Sequence, residues 1–341
     1  MVASDIDARP EWEVAARLTG GRVLEVVSVG GGRNSRVSRV RTSDGLFALK
    51  QYPSLADDPR DRLSTETRAL QWMAMHGVDS VPRVIALERA SNCALLSWAM
   101  GSLVTDVGPN DVDQAVAFLG EVERLRRSFD FPSPQLASEA CLSGAEIERQ
   151  IRARLSRLDD LDGEPALRTF LDRDFADNLE RLLSDAKARL LAAGLSFDAE
   201  LPPKKRTLVP SDFGFHNMLR DASGALTFID FEYFGWDDPA KLMSDSLLHP
   251  GTPMRKAVRR RLRAAIQGLY ASDPDFPARF EAFCRLFGLR WVLILLNEFH
   301  PERWRRRVLA GDQNNWQEAK ERQLRAARAM LAELAPSKGI E

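Results

Sequence analysis

LVPSDFGFHNMLRDASGALTFIDFEYFGWDDP, Leu208 to Pro239, sets three polar groups beside two short β-like segments, Arg206–Pro210 and Leu226–Phe231. Asp212 and Asn217 stand five residues apart in the loop after the first segment. Asp230 follows the mostly apolar run Leu226–Ile229, thirteen residues after Asn217. A carboxylate at the end of a buried strand is costly unless it meets a cation. Mg²⁺ held on phosphate oxygens is a natural partner for it. In that reading Asp212 accepts a hydroxyl proton, and the Asn217 amide oxygen joins Asp230 on the metal. Taken singly, each residue also reads as an ordinary turn former or cap.

Three features upstream extend the pattern. VGGGRNSRV, Val29 to Val37, is a turn between two β-rich runs, Val23–Val29 and Arg36–Thr42. Successive N–H groups of such a turn can form an anion-binding concavity, with Gly30, Gly31, Gly32, Asn34 and Ser35 as its candidates. A plain hairpin loop is the alternative. No G-K-[ST] follows, which excludes a P-loop, and a strand rather than a helix follows, which excludes a dinucleotide fingerprint. Lys50 then lies inside the apolar strand Leu46–Tyr52, after the turn signal Ser43-Asp44-Gly45. Glu66 lies on the next helix, about Arg62 to His76. A lysine in an apolar strand needs a partner, and Glu66 could neutralise it and aim its ammonium at phosphates. A surface lysine on an edge strand is the other reading.

Two more strand-like runs, Val81–Leu87 and Cys93–Ala99, complete five strands in the first hundred residues, with a short helix about Pro10–Leu18 before them. From Asn110 helical periodicity takes over: about 110–128, a long helix 164–193, then 240–248, 253–271, 277–299 and 314–334. This predicts an α+β chain, with a sheet lobe over 1–98 and a mostly helical lobe over 99–341. The 341 residues suffice for a sizeable core. A formal net charge of −1 gives no argument for nucleic acid or an anionic membrane surface. Cys93, Cys141 and Cys284 are scattered and odd in number, so neither a disulfide framework nor a C-x-x-C zinc site is expected. The N-terminus MVASDIDARPEW is too polar for a signal peptide. The most apolar run, Trp291–Leu296, is far short of the ~20 residues a membrane span needs. A cytoplasmic protein is the expectation.

Glycine turn, strand Lys, helix Glu, D-x-x-x-x-N and strand Asp, in this order, resemble the aminoglycoside phosphotransferase/choline kinase-like family, from about Leu24 to Asp245. The family's H-G-D-x-x-x-x-N appears as Pro210-Ser211-Asp212 through Asn217, and its I-D-F/W-E…D-P as Ile229-Asp230-Phe231-Glu232 through Asp238-Pro239. The resemblance implies a protein-kinase-like two-lobe fold, with a small antiparallel sheet in the N-lobe and a helical C-lobe. It implies ATP, with GTP left open, and Mg²⁺. By it Asp212 would be the catalytic base, Asn217 and Asp230 the metal ligands, and Lys50 the phosphate lysine supported by Glu66. LLSWAMG, Leu95 to Gly101, would be the adenine hinge, with Ser97 and Ala99 as its contacts. Two departures stand out: Pro210 replaces the family histidine, and Leu242 replaces a second Asp, for which Asp245 is a candidate substitute.

The partner implied is a small-molecule hydroxyl acceptor, with no nucleic acid and no membrane. Glu232, Tyr233, Asp237 and Glu298 are its candidate contacts. The basic runs Met254–Arg263 and Trp304–Arg307 read as solvated helix faces. The expected function is an ATP-dependent kinase for a sugar, amino alcohol or similar metabolite. The alternatives are an antibiotic phosphotransferase of aminoglycoside type and a nucleotide-binding pseudokinase with a regulatory role, which Pro210 and Leu242 would suit.

Overall fold

In the computed structural model, residues 9–29, 35–54, 58, 60–159, 161, 163–252, 254–309 and 315–334 are described. The chain opens with α1 (Arg9–Thr19), β1 (Val23–Ser28), β2 (Arg36–Thr42), β3 (Leu46–Gln51), α2 (Arg62–Met75), β4 (Val84–Glu88), β5 (Cys93–Ser97) and β6 (Ser102–Leu103). Next come α3 (Pro109–Ser128), α4 (Gly144–Asp159), α5 (Pro165–Thr169), α6 (Ala176–Ala192) and β7 (Thr207–Val209). The short strands β8 (Met218–Arg220), β9 (Leu226–Phe228) and β10 (Gly235–Asp237) follow. The chain closes with α7 (Pro239–Leu248), α8 (Lys256–Leu269), α9 (Phe276–Leu295), α10 (Pro301–Leu309) and α11 (Trp316–Glu333). It divides into two units. The first holds Met1–Thr105, Ala117–Ser138 and Pro210–Gly235, and the second holds Asp106–Val116, Glu139–Val209 and Trp236–Glu341.

The first unit is built on a five-stranded antiparallel sheet in the order β1-β2-β3-β5-β4. Strand alternation decides what each face carries. Leu49 packs with Val40, Cys93 and Leu95 against Val14 and Ala15 of α1. Lys50, its neighbour, therefore points to the opposite face. The strand expected from Val81 starts only at Val84, after Pro82, which has no N–H for a ladder. The hinge after β5 turns at Gly101, where φ is +124° and an added Cβ would come within 2.5 Å of the Arg220 carbonyl oxygen. Only glycine fits there, so β6 can pair with β8, and β8 with β9.

The second unit is helical. Its core gathers Ile147 and Ile151 of α4, Leu179, Leu182 and Leu190 of α6, Phe283 and Phe287 of α9, and Leu324 and Leu331 of α11. The sequence reading does not anticipate α4, because a narrow apolar stripe is set among charged residues. The expected long helix runs from Pro165 to Ala192 but widens into a π turn at Phe170–Phe175, which seats both aromatic rings in the core. The helix about 277–299 gives way at Leu296 to a 3₁₀ turn, and Pro301 opens a separate helix. All three cysteines are free and buried. Among the described residues no helix is long and apolar enough to cross a membrane.

One buried ion network fastens α7 to α9. Asp245 accepts from Arg290 Nη2 at 3.0 and 3.1 Å and from Trp291 Nε1 at 2.8 Å, with Lys241 Nζ at 2.9 Å. Arg290 is 3% exposed and also reaches the Gln150 side chain. Removing one partner of such a network strands the other charges without solvent. Arg290→Ala should therefore lower unfolding stability by about 3–5 kcal/mol, read as a shifted urea midpoint. An unchanged midpoint would show that the network carries no stability.

Candidate active site

The strand–loop–strand between residues 210 and 235 is fixed from below by aromatic rings. Phe118 of α3 stacks on Phe228 at 4.1 Å and on Phe213 at 6.1 Å, and lies 6.1 Å from Phe231. The phenylalanines that alternate with the polar residues thus set Asp212 and Asp230 on one support.

The loop is shaped by its own hydrogen bonds. Asn217 Nδ2 donates to the Asp212 carbonyl at 3.0 Å, and Asn217 N–H to the Gly214 carbonyl at 2.9 Å. Ile229 N–H donates to the Asn217 carbonyl at 3.0 Å, placing Asn217 beside the residue that precedes Asp230. With its nitrogen occupied, the Asn217 side chain presents its oxygen as the free ligand atom. Pro210 cannot do what a histidine side chain would. Ser211 instead takes φ +69° and donates its hydroxyl to the Ser138 carbonyl at 3.1 Å. A left-handed serine is disfavoured relative to glycine, and that side-chain bond helps to hold it. His216 Nε2 lies 3.3 Å from Asp212 Oδ1.

Lys50 joins β3, α2 and the Asp230 segment. Its ammonium donates to Glu66 Oε2 at 2.6 Å and to Asp230 Oδ1 at 2.7 Å, and lies 3.5 Å from Glu232 Oε2. Glu66 Oε2 also accepts from the Tyr52 hydroxyl at 2.8 Å and its Oε1 from the Phe231 N–H at 3.2 Å, so α2 reaches β3 through one oxygen and the Asp230 segment through the other. Asp230 itself has φ +69°. Burial works against the Lys50 charge, but Asp230 and Glu66 outweigh it and hold its pKa well above the ordinary value. Burial pushes the Asp230 carboxyl up to about 6, against the pull of Lys50 and with help from Glu232 and Glu66.

A second chain of charges flanks the first. Ser35 donates to Glu232 Oε2 at 2.6 Å, and Arg62 donates to Glu232 Oε1. Arg62 also pairs with Asp58, which Arg60 grips in turn. Four carboxylates (Asp58, Glu66, Asp230, Glu232) thus face three cations (Lys50, Arg60, Arg62). Carboxylate oxygens of Glu66, Asp230 and Glu232 lie within 4.8 Å of one another. A surplus of one negative charge and hard oxygen donors fit a divalent cation such as Mg²⁺.

Ser35, Lys50, Glu66, Asp230 and Glu232 therefore meet in one cluster, with Asp212 and Asn217 on the adjoining loop. Gly30, Gly31, Gly32 and Asn34 lie outside the described residues. Ser97 ends β5, its N–H and hydroxyl both engaged with the Arg83 backbone at 2.8 Å, and Ala99 follows in the hinge. The four acceptor candidates are all engaged or buried. Glu232 is 3% exposed and turned to Ser35 and Arg62. Tyr233 lies under two guanidinium groups, Arg62 at 4.9 Å and Arg60 at 5.3 Å from its ring centre. Asp237 is fully buried, its Oδ1 accepting from the Cys141 and Asp238 N–H groups. Glu298 is buried, and its carbonyl accepts from Trp316 Nε1. Asp245, the candidate substitute for the Asp missing at Leu242, spends its carboxylate on Arg290, Trp291 and Lys241. The sequence reading missed Arg62, Ser138 and His216. Arg62 had a signal: it stands four residues before Glu66 and so shares its helix face.

A model of the phosphotransferase enzyme family matches residues 25–241. No curated protein sequence matches the chain. Among solved structures, the ADP-bound aminoglycoside phosphotransferase APH(2'')-Ib is similar with a TM-score of 0.61 at 14% identity, over 97% of this chain and 99% of that one. Choline kinase LicA from Streptococcus pneumoniae gives 0.59 at 13% identity, over 96% and 99%. A macrolide 2'-phosphotransferase type I gives 0.57 at 14%, over 97% and 98%. These likenesses show the fold: a small antiparallel sheet followed by a helical part, the protein-kinase-like arrangement.

Proposed function

The chain belongs to the phosphotransferase enzyme family, and we propose that it transfers the γ-phosphoryl group of ATP to a hydroxyl of a small metabolite, such as a sugar or an amino alcohol. The observation that carries this reading is the Lys50 ammonium, held between Glu66 and Asp230 within 2.7 Å of each. A buried lysine so placed can release Asp230 to a metal and turn its own charge to phosphate oxygens. Bound Mg²⁺ would neutralise charge on the phosphates and orient them. Asp230 and the Asn217 oxygen would hold it. Asp212, on the same support, takes the proton of the acceptor hydroxyl as the phosphoryl group leaves ATP. The Ser97 carbonyl and the Ala99 backbone would serve the nucleobase, since the Ser97 N–H is engaged with the Arg83 carbonyl. ADP bound to the similar APH(2'')-Ib supports a nucleotide here.

Two acids considered for the acceptor are each paired with a cation. Glu232 is paired with Arg62, and Asp237 has Lys241 3.3 Å away. This supports a metabolite rather than a polycationic drug as acceptor. An ATP-consumption screen over sugars, amino alcohols, macrolides and aminoglycosides tests the choice. Turnover with neutral or singly charged alcohols is expected. Turnover confined to aminoglycosides would replace the reading with the antibiotic one.

Metal binding should depend on pH in a defined direction. Asp230 must be ionised to ligate, and burial, with Glu232 and Glu66 beside it, pushes its carboxyl up to about 6 against the pull of Lys50. Apparent Mg²⁺–nucleotide affinity should fall about tenfold from pH 7 to pH 5, because the ionised fraction falls by that factor. Calorimetry at the two pH values, corrected for nucleotide protonation, measures it. A flat profile would remove Asp230 as the titrating ligand.

A further inference from the structure

Glu232 is a buried carboxylate that could disturb the centre it adjoins. Its Oε2 lies 3.5 Å from Lys50 Nζ, while Glu66 and Asp230 hold the same ammonium at 2.6 and 2.7 Å. Glu232 needs a cation, and the single charge of Lys50 cannot balance three carboxylates. Arg62 supplies the missing charge. Its Nη1 donates to Glu232 Oε1, while its Nε, at 3.0 Å, and its Nη2 grip Asp58. Arg62 is 5% exposed and begins α2, one helical turn before Glu66. With Arg62 in place, Glu232 Oε2 is free to accept the Ser35 hydroxyl at 2.6 Å. Ser35 directly precedes β2, so this bond ties the start of that strand to the Asp230 segment.

We propose that Arg62 is a positioning residue for nucleotide binding: by saturating Glu232 it keeps Lys50 on Glu66 and Asp230, and through Glu232 it anchors Ser35 just before β2. The proposal rests on the phosphotransferase reading. Without Arg62, the cation left beside Glu232 among the described residues is Lys50. Lys50 would be drawn from Asp230, and the phosphate end of the site would lose its shape. Removing the Glu232 charge as well should undo the damage, because the competitor is gone while a glutamine oxygen remains for Ser35. A purely structural anchor for α2 makes a different forecast, since its loss would lower stability and leave nucleotide affinity alone.

Mg²⁺–ATP affinity by calorimetry and thermal melting are measured together on the wild type, Arg62→Met, Arg62→Met/Glu232→Gln and Ser35→Ala. Arg62→Met is expected to bind at least about tenfold more weakly, and the double variant to recover to within about threefold of wild type. Ser35→Ala, which loses one hydrogen bond and no charge, should bind about 3–10-fold more weakly with an unchanged melting temperature. Arg62→Met that melts lower but binds like wild type overturns the proposal, as does a double variant no better than the single. Should Arg62→Met fail to fold, a folded double variant that binds more than tenfold weaker, or Ser35→Ala that binds like wild type, overturns it equally. A wild type that binds no Mg²⁺–ATP refutes the kinase reading itself, and the proposal with it.

Discussion

Asp230→Ala is expected to lose Mg²⁺-dependent turnover by about 10³-fold or more, some 4 kcal/mol of transition-state stabilisation. Three features of the cluster support this size. Asp230 is the carboxylate shared between Lys50 and solvent, its side chain 30% exposed while that of Glu66 is 2%. It is thus the cluster's accessible oxygen donor. The backbone is bent to φ +69° to present it, and Phe228 and Phe231 anchor the residues on either side. Alanine leaves that frame intact but frees Lys50 to pair with Glu66 and Glu232 alone. Turnover at saturating Mg²⁺ and ATP, beside calorimetry of Mg²⁺–ATP, separates loss of the ligand from loss of the fold. Unchanged affinity and unchanged turnover in this variant would contradict the assignment.

Asp212→Asn should behave differently. Phosphoryl transfer depends mostly on positioning and electrostatics, and the loop carboxylate acts on the acceptor, not on the nucleotide. Asparagine keeps the shape of the side chain, and the Asp212 carbonyl still receives Asn217 Nδ2. The loop should stand and Mg²⁺–ATP should bind nearly as before. Transfer should fall by about 10²–10⁴-fold, the scale of a general base. Equal turnover in the two proteins would remove Asp212 from that role.

The residues that could be read from sequence are those whose chemistry conflicts with their surroundings. Lys50 stands out inside an apolar strand, Asp230 at the end of another, and Glu66 on the following helix. The structure brings all three together. The sheet was legible too, because β-branched and apolar runs flank the turn signal Ser43-Asp44-Gly45. What stayed hidden depends on tertiary partners. Asp237 and Glu232 look in sequence like acids lining a cleft. Only the fold reveals that one receives the Cys141 backbone and the other Arg62. Ser138 lies in a stretch without periodicity, yet it meets Ser211 through its carbonyl and Arg60 through its hydroxyl. The left-handed backbone of Ser211 cannot be inferred from a residue type that seldom adopts it. The short strands β6, β8 and β10 carry two or three residues each, too few for any pattern to register.

The central claim is transfer of phosphoryl from ATP to an alcohol, and phosphorus NMR of the reaction observes it directly. Wild-type protein is incubated with Mg²⁺–ATP and the best acceptor from the consumption screen. The account predicts a new phosphate monoester resonance rising in step with ADP, one for one, and absent when Mg²⁺ or acceptor is withheld. ADP accompanied only by inorganic phosphate, or bound ATP unchanged with every acceptor, would contradict it.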